Sequence, residues 1–238
     1  MNNSSFFILL SVILLILICS KKRKFSTFGK SKNKNKSKYV NNGFANIKDP
    51  YTMPIVKSNM VTPQEANHIL KSAESSFSDS KIIGGMDKNI RKSQTTWLYT
   101  SDPIIYNLVK RISQDYGYPM ENAEPLQVVK YEPGGFYNEH HDACCDNDDK
   151  CTTFVDDGGQ RVLTALIYLN SDFTDGGTEF PEIKKIIKPP EYGGVIFRPL
   201  ADNSNKCHPL GLHKGMPVTS GTKYVCNLWI REGPYRTN

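Results

Sequence analysis

Gly134-Gly135-Phe136-Tyr137-Asn138-Glu139-His140-His141-Asp142 is the stretch on which the reading of this 238-residue chain turns. In a strand, successive side chains face opposite sides, so His140 and Asp142 share a face while His141 points away. Two imidazoles and one carboxylate can cap one face of an Fe(II) ion and leave the opposite positions open. The third ligand must then come from a distant strand. His213 suits that role, because it precedes the β-rich run Lys223-Tyr224-Val225-Cys226-Asn227-Leu228-Trp229. That run carries Lys223 along the pocket wall as a fixed cation for a dicarboxylate.

Working outward, the pattern changes from helical to extended. Thr62-Pro63-Gln64-Glu65 is a capping-box pattern with Pro at the first helical position, and Ala66, Ile69, Leu70 and Ala73 follow at helical spacing. Ser101-Asp102-Pro103 starts a second helix that runs through Ile105, Leu108, Val109 and Ile112 to Gly117. Leu126 to Tyr131, Val162 to Leu169, Gly194 to Phe197 and Lys223 to Ile230 are β-branched or aromatic runs separated by Gly, Pro and Asp clusters. Helices first and strands second predict a mainly β, α+β domain: a jelly-roll sandwich backed by N-terminal helices, whose interior can hold a ligand.

These segments resemble the prolyl 4-hydroxylase family of 2-oxoglutarate- and Fe(II)-dependent dioxygenases. The resemblance rests on Glu124 to Tyr131, Gly134 to Asp142, Gly176-Gly177-Thr178-Glu179-Phe180-Pro181, and His213 through Trp229, in the family's order and at its spacings. It implies a double-stranded β-helix over about residues 55 to 235. It also implies that His140, Asp142 and His213 ligate iron and that Lys223 pairs with the distal carboxylate of 2-oxoglutarate. Tyr131 and Thr178 match positions that help hold that carboxylate, and Glu124, Tyr137, Arg161 and Trp229 match positions lining the peptide groove or the approach to the iron. Phe136 stands where the family often has Gln, and Ala143 to Gln160 is individual to this chain.

The implied reaction is hydroxylation of proline in peptides or proteins, with release of succinate and CO2 and with L-ascorbate as the reductant that rescues oxidised iron. A related dioxygenase acting on lysine or another target is the alternative within enzymes. A non-catalytic peptide-binding module on the same fold is the alternative outside them; the intact triad with Lys223 argues against it.

Charge divides the chain unevenly. Residues 21–38 hold nine Lys or Arg and no acid, so the formal net charge of +6 resides there and the remainder is mildly acidic. That argues against nucleic acid as a partner. Phe6 to Cys19 reads FFILLSVILLILIC and is closed by Lys21-Lys22-Arg23-Lys24. Residues 1–20 read as a membrane anchor or signal segment; without a basic segment before it or a small-x-small cleavage site after it, an uncleaved anchor is favoured and a cleaved signal peptide is the rival. Residues 21–50 read as a basic Lys/Asn/Ser linker and residues 51–238 as the catalytic domain. The expected location is an endoplasmic reticulum or other secretory membrane, although basic residues directly after an apolar segment tend to stay cytosolic.

The six cysteines leave alternatives open. In an oxidising lumen Cys144, Cys145 or Cys151 can bridge to Cys207. A zinc cluster of Cys144, Cys145, Cys151 and His141 is the rival, without a paired C-x-x-C knuckle. Cys226 reads as buried packing, Asp146 to Asp149 as a solvated loop at the pocket mouth, His68 as a surface or capping residue, and His208 as a weak competitor for the third ligand position.

Overall fold

Alternating and continuous apolar runs dictate two layers of sheet. The computed structural model describes residues 43–82, 85–146 and 149–236; the apolar segment and most of the Lys-rich linker lie outside the described residues. Among the described residues no helix is long and apolar enough to cross a membrane. In chain order the first strands are β1 (Ile55–Lys57), β2 (Ser78–Asp79), β3 (Arg91–Lys92), β4 (Gln94–Leu98), β5 (Leu126–Tyr131), β6 (Phe136–His140) and β7 (Arg161–Tyr168). They continue with β8 (Phe173–Asp175), β9 (Thr178–Phe180), β10 (Lys185–Ile187), β11 (Gly194–Phe197), β12 (His213–Gly215), β13 (Val218–Gly221) and β14 (Lys223–Arg231).

The major sheet runs β1-β11-β7-β14-β5-β4-β2 and the minor sheet β10-β9-β12-β6-β3, with β13 paired to β8 alone. Neighbouring strands are antiparallel throughout the two larger sheets. This is the jelly-roll architecture. The central strands β5, β7 and β14 are covered on both faces, which is why they read as nearly unbroken apolar runs rather than as alternation.

Among the described residues three α-helices accompany the sheets: α1 (Pro63–Ala73), α2 (Pro103–Asp115) and α3 (Asp149–Asp156). The capping box at Thr62 is complete: its hydroxyl accepts from the Glu65 N–H while the Glu65 carboxylate accepts from the Thr62 N–H. Asp102 caps α2 by accepting from the Ile104 and Ile105 N–H groups. It also takes a 2.7 Å contact from His68 Nε2, so His68 ties α1 to the start of α2 instead of standing alone on the surface.

One core lies under α1 and α2, where Ala66, Ile69, Leu108 and Ile112 meet Leu163, Ala165 and Ile167 of β7 and Cys226, Leu228 and Ile230 of β14. The alternate residues of the same strands, Leu166, Tyr168 and Val225, join Phe180, Phe197 and Val218 in a second core on the opposite face. Among the described residues Cys226 is the free, buried cysteine, and burial pushes its thiol upward.

A third, small cluster of Ala143, Leu200 and Cys207 holds the loops around the ends of β6 and β12. Two disulfides reinforce it, Cys144–Cys151 and Cys145–Cys207. All four cysteines are consumed, so the zinc alternative is excluded. Asp149, read in the sequence as part of a solvated loop, is instead the first residue of α3. Gln160 brackets the segment, its side-chain amide donating to the Cys144 carbonyl and accepting from the Cys144 N–H. Ahead of β1, Ala45 N–H donates to the Cys207 carbonyl and Cys207 N–H to the Gly43 carbonyl.

Candidate active site

The period of two along each strand places polar residues on the inner face of the major sheet. Lys223, Asn227 and Trp229 of β14 and Gln127 and Tyr131 of β5 share that face and line a cavity of about 350 Å3. His140, Asp142 and His213 line it as well.

Strands β6 and β12 bring the two histidines together, His213 standing opposite His140 in the register. Asp142, just past the end of β6, completes a group whose ligand atoms all lie within 4.8 Å of one another. Its carboxylate oxygens are 3.9 Å from His140 Nε2 and 3.7 Å from His213 Nε2. Those gaps are too long for hydrogen bonds and suit groups that share one cation. The tautomers agree: His140 Nδ1 lies 2.7 Å from the Asn138 carbonyl and His213 Nδ1 lies 3.1 Å from the Gly211 carbonyl. A carbonyl only accepts, so each Nδ1 carries the proton and each Nε2 lone pair is turned toward Asp142.

Electrostatics keep the carboxylate ionised. Burial pushes Asp142 upward, but the charges of His213, His140 and Arg161 outweigh it and hold the carboxyl at about 2. Burial, reinforced by His213, drives His140 well below the ordinary imidazole range, toward the neutral form a metal requires. The Thr164 hydroxyl donates to Asp142 Oδ2 at 2.7 Å and fixes its rotamer. His141 takes no part: its ring meets Phe44 edge-on at 5.2 Å, and burial lowers its pKa to about 4.

Lys223 forms the second half of the site. It is 2% exposed, and Nζ donates to the Gly176 carbonyl at 2.6 Å and to the Tyr168 hydroxyl at 3.5 Å. Gly176 sits at φ +63°, and a Cβ there would approach Val218 at 3.0 Å, so glycine is needed to present that carbonyl. Burial, with Lys188 adding repulsion, lowers the Lys223 ammonium to about 7, and no carboxylate offsets it among the described residues. A buried cation lacking an anion is costly, and a dicarboxylate ligand would supply one. Thr178 hydrogen-bonds Tyr168 at 2.8 Å, while Tyr131 presents its ring 5.1 Å from Lys223 Nζ.

Comparison with known proteins agrees with this geometry. The profile of the 2OG-Fe(II) oxygenase superfamily matches residues 126–231, which include all three ligand candidates and Lys223. A putative prolyl 4-hydroxylase of Acanthamoeba polyphaga mimivirus is 48% identical over 189 residues, covering 79% of this chain and 78% of the relative. This chain belongs to the prolyl 4-hydroxylase family. Prolyl 4-hydroxylase 1 of Arabidopsis thaliana is 32% identical over 199 residues, covering 75% of this chain and 68% of the relative. The fold of a viral collagen prolyl hydroxylase from Paramecium Bursaria Chlorella virus-1 is shared with a TM-score of 0.59 at 24% identity, over 75% of this chain and 96% of that one. A prolyl hydroxylase from Trichoplax adhaerens, solved with a hypoxia inducible factor peptide, has a TM-score of 0.54 at 19% identity, over 75% and 83% of the two chains.

In this prolyl 4-hydroxylase the four residues matched to the groove all line the cavity. Arg161 grips Glu124 through Nε at 2.6 Å and Nη2 at 2.8 Å, and its guanidinium lies 3.6 Å from the Trp229 ring centroid. Tyr137 stacks on His140 at 3.6 Å. Burial raises Glu124, but Arg161 and Arg231 win and keep it ionised. His208 is removed from the site, stacked on Tyr51 at 4.5 Å with Nε2 3.1 Å from the Asp49 carbonyl.

Sequence reasoning missed Thr164, Tyr168, Arg231, Arg91, Trp97 and Phe154. Strand parity carried a signal for three of them. Arg231 is two residues beyond Trp229, and Thr164 pairs with Trp229 in the register, with Tyr168 on the same face of β7. Arg91, whose guanidinium lies 4.6 Å from the Tyr137 ring, comes from the two-residue strand β3, too short for any period.

Proposed function

We propose that His140, Asp142 and His213 hold Fe(II), that Lys223 receives the distal carboxylate of 2-oxoglutarate, and that the enzyme hydroxylates C4 of proline in peptides or proteins. The observation that carries the reading is the pairing of a buried His-Asp-His cluster, in one cavity, with a buried lysine that has no carboxylate partner among the described residues. Bound there, Fe(II) and 2-oxoglutarate would supply the oxidising power, one oxygen atom of dioxygen passing to succinate as CO2 leaves and the other to the new hydroxyl.

The chain's own residues bind, orient and exclude water. The Nδ1 bonds of His140 and His213 aim Nε2 at the metal, and the Thr164 hydroxyl holds Asp142 in place. Lys223, itself buried, would anchor the cosubstrate by a charge-assisted contact, and burial strengthens such contacts. Tyr131, Thr178 and Tyr168 complete its polar lining. Tyr137, Arg161, Trp229 and Glu124 form the groove that presents the proline ring. Ascorbate accompanies the reaction as reductant on the strength of the family resemblance.

The apolar segment at residues 1–20 anchors the enzyme in a secretory membrane, with the catalytic domain on the luminal side. Two disulfides support that side, since they persist in oxidising compartments.

Incubation of the purified enzyme with Fe(II), 2-oxoglutarate and a panel of proline-containing peptides tests the reading. Mass spectrometry should find one added oxygen on proline, matched mole for mole by succinate. Oxygen added to lysine, or peptide binding without succinate, overturns it.

A further inference from the structure

We infer that α3 is a wall of the peptide groove and that Phe154, which it carries, is a specificity-determining residue for proline-rich substrate segments. The inference deepens the proposed function and rests on it.

Phe154 is half-buried and lines the cavity that holds the metal and cosubstrate residues. Two guanidiniums lie against its ring, Arg231 at 4.2 Å and Arg161 at 5.2 Å from the centroid. Arg161 in turn lies on Trp229, whose ring is 6.1 Å from that of Trp97. The result is a row of flat surfaces along one side of the groove: Phe154, the Arg161 guanidinium, Trp229 and Trp97. Proline-rich chains are extended and stiff, and aromatic-lined grooves take them with little loss of entropy. Trp97 is 39% exposed, as befits a ring at the mouth.

Two fixtures hold α3 in that position. The Cys144–Cys151 disulfide ties the helix to the loop that follows Asp142. Arg231 Nη1 donates to the carbonyls of Phe154 and Gly159, each at 2.7 Å, while its Nε donates to Glu124 at 2.7 Å. Arg231 is 2% exposed and therefore a positioning residue: through the shared Glu124 it sets Arg161, and through the Phe154 carbonyl it sets the helix. A half-exposed phenyl ring so firmly placed has a use beyond covering the arginines.

The test compares wild type with Phe154→Ala, Phe154→Tyr and a Cys144→Ser/Cys151→Ser double variant, all as full chains. Substrates are a proline-rich peptide and a peptide with one proline among serines. Both tryptophans of the chain border the groove, so intrinsic fluorescence reads peptide binding directly without metal. Phe154→Ala should raise the KM for the proline-rich peptide about tenfold, and weaken its binding by the same factor, more than for the single-proline peptide. The KM for 2-oxoglutarate should not move. Phe154→Tyr should restore most of the affinity, and the double-serine variant should resemble Phe154→Ala.

Unchanged peptide affinity in Phe154→Ala, or equal losses for peptide and 2-oxoglutarate, overturns the inference. If wild type binds the proline-rich peptide through Phe154 but forms no hydroxyproline, the groove wall stands and the reaction falls. If wild type hydroxylates and Phe154→Ala does so with the same KM, the reaction stands and the wall falls.

Discussion

His140 and His213 face each other across β6 and β12 with ring centroids 4.2 Å apart, and each is pinned by its own Nδ1 to the carbonyl two residues earlier in the chain. The two candidate ligands are thus set by the same local device on two strands distant in sequence. The consequence is a pair of imidazoles whose Nε2 atoms converge beside Asp142 before any metal arrives, so little reorganisation would accompany binding.

His140→Ala, Asp142→Ala and His213→Ala should each lower turnover by more than about 100-fold, since a lost ligand leaves the ion poorly held. His141→Ala should keep most activity, because its ring faces Phe44 rather than the cluster. Calorimetric titration with Mn(II) separates lost metal binding from lost chemistry. A dead His141→Ala beside an active His140→Ala would reverse the ligand assignment.

The pH dependence of cosubstrate binding should follow Lys223. Burial lowers its pKa from 10.5 to about 7, so the free enzyme carries the ammonium below that pH and loses it above. The distal carboxylate needs the charged form, so 2-oxoglutarate affinity should fall as pH rises above about 7, by up to tenfold per unit. At pH 8 binding should take up a proton, visible as a buffer-dependent heat. Lys223→Arg keeps the charge at all these pH values and should flatten the profile, while Lys223→Ala should raise the KM strongly and leave Mn(II) binding intact. A wild-type KM that is level from pH 6.5 to 9 would refute the assignment.

Much of this site was legible because its chemistry follows the strand period. His140, Asp142 and His213 stand out by residue type, and Lys223 and Trp229 share one face of a run whose alternate residues are apolar. What escaped has a physical reason in each case. Phe154 sits on a short helix in a segment dominated by Asp, Thr and Cys, with no apolar stripe to announce it. Strands β6 and β12 are five and three residues long, so their pairing rests on loops fixed by disulfides rather than on pattern. The partners of Cys144 and Cys145 could not be told apart in sequence, since adjacent cysteines offer equivalent spacings.

Cys145–Cys207 should matter for the metal as well as for stability. It joins the loop after Asp142 to the loop before His213 across a sequence separation of 62, beside a cluster of only three buried apolar residues. Closing a loop of that length is worth about 4 kcal/mol, which in a domain of this size is on the order of 8–16 °C in Tm. Cys145→Ser/Cys207→Ser should therefore melt well below wild type and bind Mn(II) more weakly, and dithiothreitol should do the same to wild type. A reduced enzyme with unaltered Tm and metal affinity would show that apolar packing alone holds these loops.

Two truncations distinguish the tether from the fold. Removal of residues 1–42 takes away the apolar segment and the Lys-rich stretch and should release a soluble domain with wild-type activity, because the described strands and the residues lining the cavity all lie beyond it. Removal of residues 1–48 also deletes the two backbone hydrogen bonds that Gly43 and Ala45 make with Cys207, and the Phe44 ring beside His141. That shorter chain should lose Tm and some metal affinity, since Cys207 braces the loop ahead of His213. Full-length enzyme should resist high-salt and alkaline washing of membranes, which strip proteins held by charge alone. Release by salt would assign attachment to the lysines, and equal stability of the two truncations would remove residues 43–48 from the fold.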